Sequence, residues 1–166
     1  MKPTMSIVES IKTCYSKYLN AKGRARRSEF WWFYLFATIV SYVPMFIVRS
    51  AHTAAAEKFA NQITLDNMDE MMKKAESVDS QFLLYYILIS VAVFFLVSLP
   101  LITAQIRRLH DVGKSGHFMW LYLLCGVGGL IPLILCISDG NPAPNQYGPS
   151  PKYDDAPVGP AAPPAV

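Results

Sequence analysis

The sequence is poor in charged residues. Charged residues make up 16% of its 166 residues, whereas a soluble globular domain averages roughly 25%. Three long windows, residues 30–48, 82–106 and 118–138, contain no charged residue at all. A water-soluble domain of this size needs charge over its whole surface. The distribution therefore excludes that class and indicates lipid as the solvent.

Cysteine is also scarce. The three cysteines, Cys14, Cys125 and Cys136, lack the close Cys-x-x-Cys spacing of a zinc or redox centre. We expect free, inert thiols, no metal and no cofactor. The first 28 residues lack the apolar core of a cleavable signal peptide, so the first span is expected to direct its own insertion. No phosphate-binding glycine loop or nucleophile motif is visible, and no catalytic residue is assigned.

The three charge-free windows are the right length for helices. About 20 residues in an α-helix cover the roughly 30 Å hydrocarbon core of a bilayer, and no alternation typical of strands appears. The sequence therefore predicts an all-α membrane protein with about three transmembrane helices. Three glycines, Gly126, Gly128 and Gly129, and a proline within residues 118–138 leave an alternative, a third segment broken into a re-entrant hairpin.

The remaining segments complete the predicted organisation. Residues 5–20 have apolar side chains at helical spacing and predict an amphipathic interfacial helix, with packing on the protein's own bundle as the alternative. The loop 50–80 is expected to form a short extramembrane helix. The chain then divides into a cytoplasmic basic segment, 1–28, a membrane bundle, 29–139, and a Pro-rich tail, 140–166.

The sign of the loop charges predicts orientation. The segment 1–28 and the connection after residue 106 are basic, while loop 50–80 holds six acids against three lysines. Basic loops stay in the cytoplasm. We therefore expect a multi-pass protein of the bacterial inner membrane with its N-terminus in the cytoplasm. Three spans would put the C-terminus outside.

Two charged blocks flank the predicted spans and supply the candidate binding residues. Guanidinium groups at headgroup level can grip lipid phosphate, so anionic phospholipid or a protein partner is the expected contact. One alternative is that these charges only set the topology of the protein and bind nothing. Another is that Glu29 or Asp111 pairs with an arginine of the other block and fixes how the spans pack. The candidates are Arg24, Arg27, Glu29, Arg107, Arg108, His110 and Asp111.

Three motifs in order carry a family resemblance: GRARRSEFWW at residues 23–32, RRLHDVGKSG at 107–116 and GNPAPNQYGP at 140–149. Together they resemble the bacterial inner-membrane family called domain of unknown function 805, over about residues 18–151 apart from the outer loop. The resemblance implies membrane location and fold but no reaction. If the motifs build one site, the tail should lie beside the other two, against the charge count. The motif residues outside the binding set are Gly23, Trp31, Ser115, Gly116, Asn145, Tyr147 and Gly148.

The favoured function is a non-catalytic scaffold or complex subunit with a cytoplasmic Arg/His/Asp interface layer. Its expected partners are the bilayer, anionic phospholipid, further copies of itself or another membrane protein. One alternative is a small oligomeric transporter or channel component. A second is an enzyme acting on lipid headgroups. Nucleic-acid binding is not expected, because the positive charges adjoin the membrane.

Overall fold

The computed structural model describes residues 3–64, 66–124 and 127–153, and within these ranges it contains helices and no β-strand. The α-helices are α1 (Ile7–Ser16), α2 (Arg27–Ala60), α3 (Met68–Val93), α4 (Leu99–Asp111) and α5 (Leu130–Ile137). A π-helical turn spans Phe94–Ser98, and 3₁₀ helices span Gly116–Leu123 and Val127–Gly129. The all-α prediction is confirmed.

Two helical stretches are long and apolar enough to cross a membrane. The first is α2, and the second runs without a break from Met68 to Asp111 through α3, the π turn and α4. They contain the predicted spans 30–48 and 82–106. Few of their residues are buried in the protein, and large apolar side chains such as Phe46 and Leu88 point outward. Such a surface is suited to lipid rather than water.

The π-helical turn of the second stretch lies directly before Pro100. Proline has no backbone N–H and its ring crowds the carbonyl four residues earlier, so a regular helix cannot pass through this position undisturbed. A local π turn absorbs that mismatch, which is how membrane helices commonly accommodate proline. The helix therefore continues to Asp111 and carries the second charged block on its last turn.

The segment 118–138 does not form the continuous third helix predicted for it. Its described residues form the 3₁₀ helices Gly116–Leu123 and Val127–Gly129 and the eight-residue helix α5, which rises only about 12 Å. Glycine at position 128 allows the backbone to pass close to Leu121. A Cβ atom there would overlap the backbone carbonyl of Leu121. The alternative of a broken segment agrees with this geometry. Cys125 and Gly126 lie outside the described residues.

The loop 50–80 is also different from the prediction. Residues 50–60 continue α2 and residues 68–80 belong to α3, so no separate short helix forms there. Ala-rich and Met-rich sequence without glycine or proline favours helix on both sides, so that α2 extends to Ala60 and α3 begins at Met68.

The chain divides into two compact units. The first unit comprises residues 1–37 and 98–166, and the second comprises residues 38–97. In the first unit α4 lies against α1, the 3₁₀ helix Gly116–Leu123 and α5. Its apolar core consists of Cys14, Phe30, Phe33, Ala104, Leu109 and Cys136. In the second unit His52 Nε2 lies 2.8 Å from Asp79 Oδ1, linking α2 to α3.

Helix α1 packs on the first unit. Ser10 and Cys14 are fully buried, and the Ser10 hydroxyl donates to the backbone carbonyl of Glu29. The apolar side chains of Ile7 and Val8, in the first turn of α1, remain exposed. The helix therefore packs on its own bundle through a narrow stripe and keeps apolar side chains on its outer side.

The side chains of Ser6 and Glu9 define where α1 begins. The Ser6 hydroxyl accepts from the Glu9 N–H at 3.3 Å, and the Glu9 carboxylate accepts from the Ser6 N–H at 2.8 Å. This reciprocal capping box satisfies two donors that the first turn of a helix leaves unpaired. It also lowers the pKa of Glu9 below its usual range, because both groups of Ser6 stabilise the carboxylate.

We expect Ser6→Ala to lower the free energy of unfolding by about 1 kcal/mol, because the cap is lost. Ser16→Ala is the matched control: its hydroxyl donates only to the Thr13 carbonyl at the other end of α1, and the change should stay within about 0.5 kcal/mol. Thermal unfolding in detergent, followed by tryptophan fluorescence, measures both. Equal effects of the two substitutions would contradict the assigned cap.

Candidate functional site

A single carboxylate joins the first two motifs. Asp111, the last residue of α4, accepts from Arg24 Nε at 2.8 Å and from Arg108 Nη1. The three side chains are almost fully buried, with exposures of 6%, 1% and 0% for Asp111, Arg24 and Arg108. Charge removed from water is stable only when it is paired and hydrogen-bonded. This carboxylate meets that requirement by accepting from two guanidinium groups.

The third motif binds the rest of the Arg24 guanidinium. Its Nη1 donates to the carbonyls of Ala143 at 2.9 Å and Gly148 at 3.2 Å, and its Nη2 donates to the carbonyl of Asn141. Gly23 precedes it with a φ of +84°, a conformation that favours glycine. Arg24 thus connects the end of α4 to the tail.

Arg108 makes an equivalent connection to the end of α5. Its Nε donates to the Cys136 carbonyl at 3.2 Å, and its Nη2 donates to the Ser138 carbonyl. These are among the last carbonyls of the helix, which need acceptor partners outside it. Gly140 then passes so close to Asp111 that a Cβ atom would overlap the carboxylate. Glycine at this position allows the tail to reach the ion pair.

A second buried ion pair lies in the same unit. Glu29, in the first turn of α2, pairs with Nη1 of Arg107, and both side chains are at most 5% exposed. Nε and Nη2 of Arg107 find no acceptor among the residues that the structure describes. The thiol of Cys14 is close by, and burial raises its pKa to about 11. This fits the predicted inert thiol. We call Arg24, Glu29, Arg107, Arg108 and Asp111 the buried ionic layer.

His110 faces the tail. Its ring stacks on that of Tyr147 with centroids 3.8 Å apart and planes 4° apart, and its Nδ1 lies 3.2 Å from the Gly23 carbonyl. Asn145 holds the tail against it by donating from Nδ2 to the His110 carbonyl at 2.9 Å. Asn145 and Gly148 also exchange two backbone hydrogen bonds, which close the turn that carries Tyr147.

The other motif residues support packing. The Trp31 ring contacts that of Phe30 edge to face with centroids 5.2 Å apart. Ser115 caps the 3₁₀ helix that follows it by accepting from the His117 N–H. A Cβ atom at Gly116 would lie 2.9 Å from a methyl carbon of Ile106, so glycine permits this helix to approach α4.

A cavity of about 360 Å³ opens beside the buried ionic layer. Arg27 Nη1 donates to Asp139 Oδ1 at 2.9 Å, and Lys152 Nζ lies 3.7 Å from the same oxygen. The hydrogen bond from Arg27 lowers the pKa of Asp139 below its usual range, and the charge of Lys152 adds to this effect. We call this cavity the cationic pocket; it is lined by Thr4, Arg26, Arg27, Ser28, Arg108, Asp111, Asp139, Gly140 and Lys152.

Most of the residues predicted to bind lipid or a partner are buried and paired with one another. Within the buried ionic layer, Arg24 and Arg108 pair with Asp111, and Glu29 pairs with Arg107. Two residues of the predicted set lie outside this layer: His110, which stacks on Tyr147, and Arg27, whose side chain is 46% exposed. The alternative in which Glu29 or Asp111 pairs with an arginine of the other block describes the observed contacts.

The contacts of Arg24 bring residues 141–148 directly against the N-terminal motif. This is the arrangement expected if the three motifs build one site. The side of the membrane on which the C-terminus lies stays a prediction. Residues 154–166 of the Pro-rich tail lie outside the described residues.

Several contributing groups were not predicted. Ser10 stands four residues before Cys14, so its helical spacing was visible, but a serine gives no sign that it will be buried. The carbonyls of Cys136 and Ser138 are invisible to sequence reasoning because every residue has one. Lys152 lies in a segment without periodicity. Among the described residues, no group of three or more His, Cys, Asp or Glu side chains is arranged to hold a metal ion.

Two long helices with apolar, outward-facing side chains define an integral membrane protein. Residues 18–149 match the family described as "Protein of unknown function (DUF805)", and the chain belongs to that family. It is 30% identical over 139 residues to the inner membrane protein YhaH of Escherichia coli K12, covering 82% of this chain and 91% of that protein.

A second relative has the same location. The inner membrane protein YhaI of Escherichia coli K12 is 27% identical over 136 residues, covering 82% of this chain and 89% of that protein. The predicted inner-membrane location is confirmed. No solved structure matches the chain.

Breaking the Glu29–Arg107 pair should destabilise the folded protein strongly. Glu29→Gln leaves a buried guanidinium without its carboxylate, and we expect a loss of about 3–5 kcal/mol in the free energy of unfolding. Glu70→Gln removes an exposed pair with Lys74 and should cost less than about 1 kcal/mol. Thermal unfolding in detergent compares the two. A double substitution, Glu29→Gln with Arg107→Met, should recover part of the loss; additive losses would contradict the pairing.

Proposed function

We propose that this chain is a non-catalytic inner-membrane scaffold or complex subunit. Its buried ionic layer ties three segments of the chain into one unit on the cytoplasmic side. That unit presents a positively charged surface to anionic lipid or to a membrane protein partner. The observation that carries the proposal is the Arg24 guanidinium, which contacts Asp111 and three carbonyls of the tail together.

The charged and polar side chains of the motifs already contact one another, and this supports a structural role. Glu29 and Asp111, the acids of the two motifs, are each held by guanidinium groups and buried. A general base must reach the proton that it abstracts, and a carboxylate enclosed by its own ion pairs presents no such access. His110 is stacked on Tyr147 and lies against the Gly23 carbonyl. The same contacts are well suited to fixing a fold.

The cytoplasmic assignment follows from charge. The segment 1–28 is basic and holds one acid, Glu9, against seven lysines and arginines. Basic segments next to a span stay in the cytoplasm. Because the tail contacts Arg24, we place residues 141–148 in the cytoplasm too. The acidic residues of the loop 50–80 favour the opposite face for the connection between α2 and α3.

Cysteine labelling tests this topology. In a Cys125→Ser background, Cys14 and Cys136 are buried and should not react. Single cysteines at exposed positions, Lys22→Cys, Gln146→Cys and Asn61→Cys, are treated with a membrane-impermeant maleimide in intact spheroplasts. We expect labelling of Asn61→Cys alone, and of the other two only after permeabilisation.

The labelling pattern separates the proposal from its alternatives. Labelling of Gln146→Cys together with Asn61→Cys would put the tail outside and overturn the single cytoplasmic unit. The parent Cys125→Ser protein is the control, since any labelling there would show that the buried thiols are accessible.

A further inference from the structure

We propose that the cationic pocket binds a phosphoryl group, such as the phosphate of an anionic phospholipid headgroup. This inference deepens the proposed function, because it names the chemical group that the charged unit takes from its surroundings. The residues that carry it are Arg27 and Lys152, with Arg108 at the inner wall.

Cations outnumber acids among the described residues of the pocket. The cations Arg26, Arg27, Arg108 and Lys152 line it together with two acids, Asp111 and Asp139. Each acid is shared between two cations: Asp111 pairs with Arg108 and with Arg24, and Asp139 with Arg27 and Lys152. A lining rich in positive charge attracts an anion.

The geometry suits a phosphoryl group better than a simple ion. Guanidinium groups donate in pairs to phosphate oxygens, and an ammonium adds a further charge-assisted contact. The hydroxyls of Thr4 and Ser28 also line the cavity. Its volume of about 360 Å³ falls within the roughly 300–1,000 Å³ typical of small-molecule sites.

The position of the pocket along the chain favours a headgroup. Arg27 is the first residue of α2, and the charge-free run begins three residues later at Phe30. The pocket therefore opens where a span begins, at the level of lipid phosphates. The first turn of a helix also has N–H groups without intrahelical acceptors, which favours an anion at that end.

The carboxylate of Asp139 competes with an incoming anion for Arg27 and Lys152. Its side chain is 67% exposed and holds both Arg27 and Lys152 through one carboxylate oxygen. A phosphoryl group that enters must take over these contacts. Removal of the carboxylate charge should therefore strengthen anion binding, whereas removal of the two cations should weaken it.

The experiment uses the full chain in detergent and native mass spectrometry. The probes are dioleoylphosphatidylglycerol and dioleoylphosphatidylcholine. We expect the protein to retain the anionic lipid preferentially, Arg27→Gln with Lys152→Gln to weaken this binding about tenfold or more, and Asp139→Asn to strengthen it. Lys12→Gln with Lys22→Gln is the matched control, since it removes the same charge from exposed positions outside the pocket, and its effect should be under about twofold.

A second arm identifies the source of the phosphoryl group. Inorganic phosphate is added at millimolar concentration, and displacement of the lipid and thermal stabilisation are measured. Stabilisation of the parent protein but not of the double variant would assign the site to a free phosphoryl compound. No effect of phosphate, with selective lipid binding retained, would assign it to the headgroup.

Two results would overturn the inference: equal weakening by the pocket and control pairs, or no preference for the anionic lipid together with no effect of phosphate. The variants leave the buried ionic layer intact, so their unfolding temperatures should match that of the parent protein. Loss of lipid discrimination with an unchanged labelling topology would remove this inference alone and leave the scaffold proposal standing.

Discussion

The first unit depends on one carboxylate. Asp111 lies between Arg24 and Arg108, and each guanidinium extends from it to backbone carbonyls of a different segment. Removal of this negative charge would leave two buried cations facing each other, which is far more costly than the loss of a surface ion pair. The interaction therefore holds the start of α2, the end of α4 and the tail in one arrangement.

The core around this ion pair is small, and charged side chains make up much of its buried volume. Among the residues that the structure describes, the largest fully buried side chains are those of Arg107 and Arg108, ahead of Phe30 and Phe33. In a bilayer, apolar surface gains little from leaving lipid, so packing between segments relies more on polar contacts. The outward-facing side chains of α2 and α3 agree with this: their solvent is lipid, and the paired charges lie where the spans end.

Much of the architecture was predictable because its causes are local. Windows without charge gave the two long helices, and opposite charges in the two motifs indicated that Glu29 or Asp111 would pair across them. The actual partners of Arg24 were not predictable, because three of them are backbone carbonyls. The side of the tail stays a prediction for a related reason: it depends on the number of spans, and the described parts of residues 118–138 form short helices where hydrophobicity alone suggested a single long one.

The tail contacts have a consequence for biosynthesis. Arg24 and Asn141 are 117 residues apart, so the guanidinium leaves the ribosome long before its acceptors do. During that interval Arg24 and the N-terminal segment must remain hydrated at the membrane surface, because a cation without its partners cannot be buried. Contacts of such sequence separation form late and slowly. The unit therefore closes after its spans are already in the membrane, and the last segment to arrive completes it.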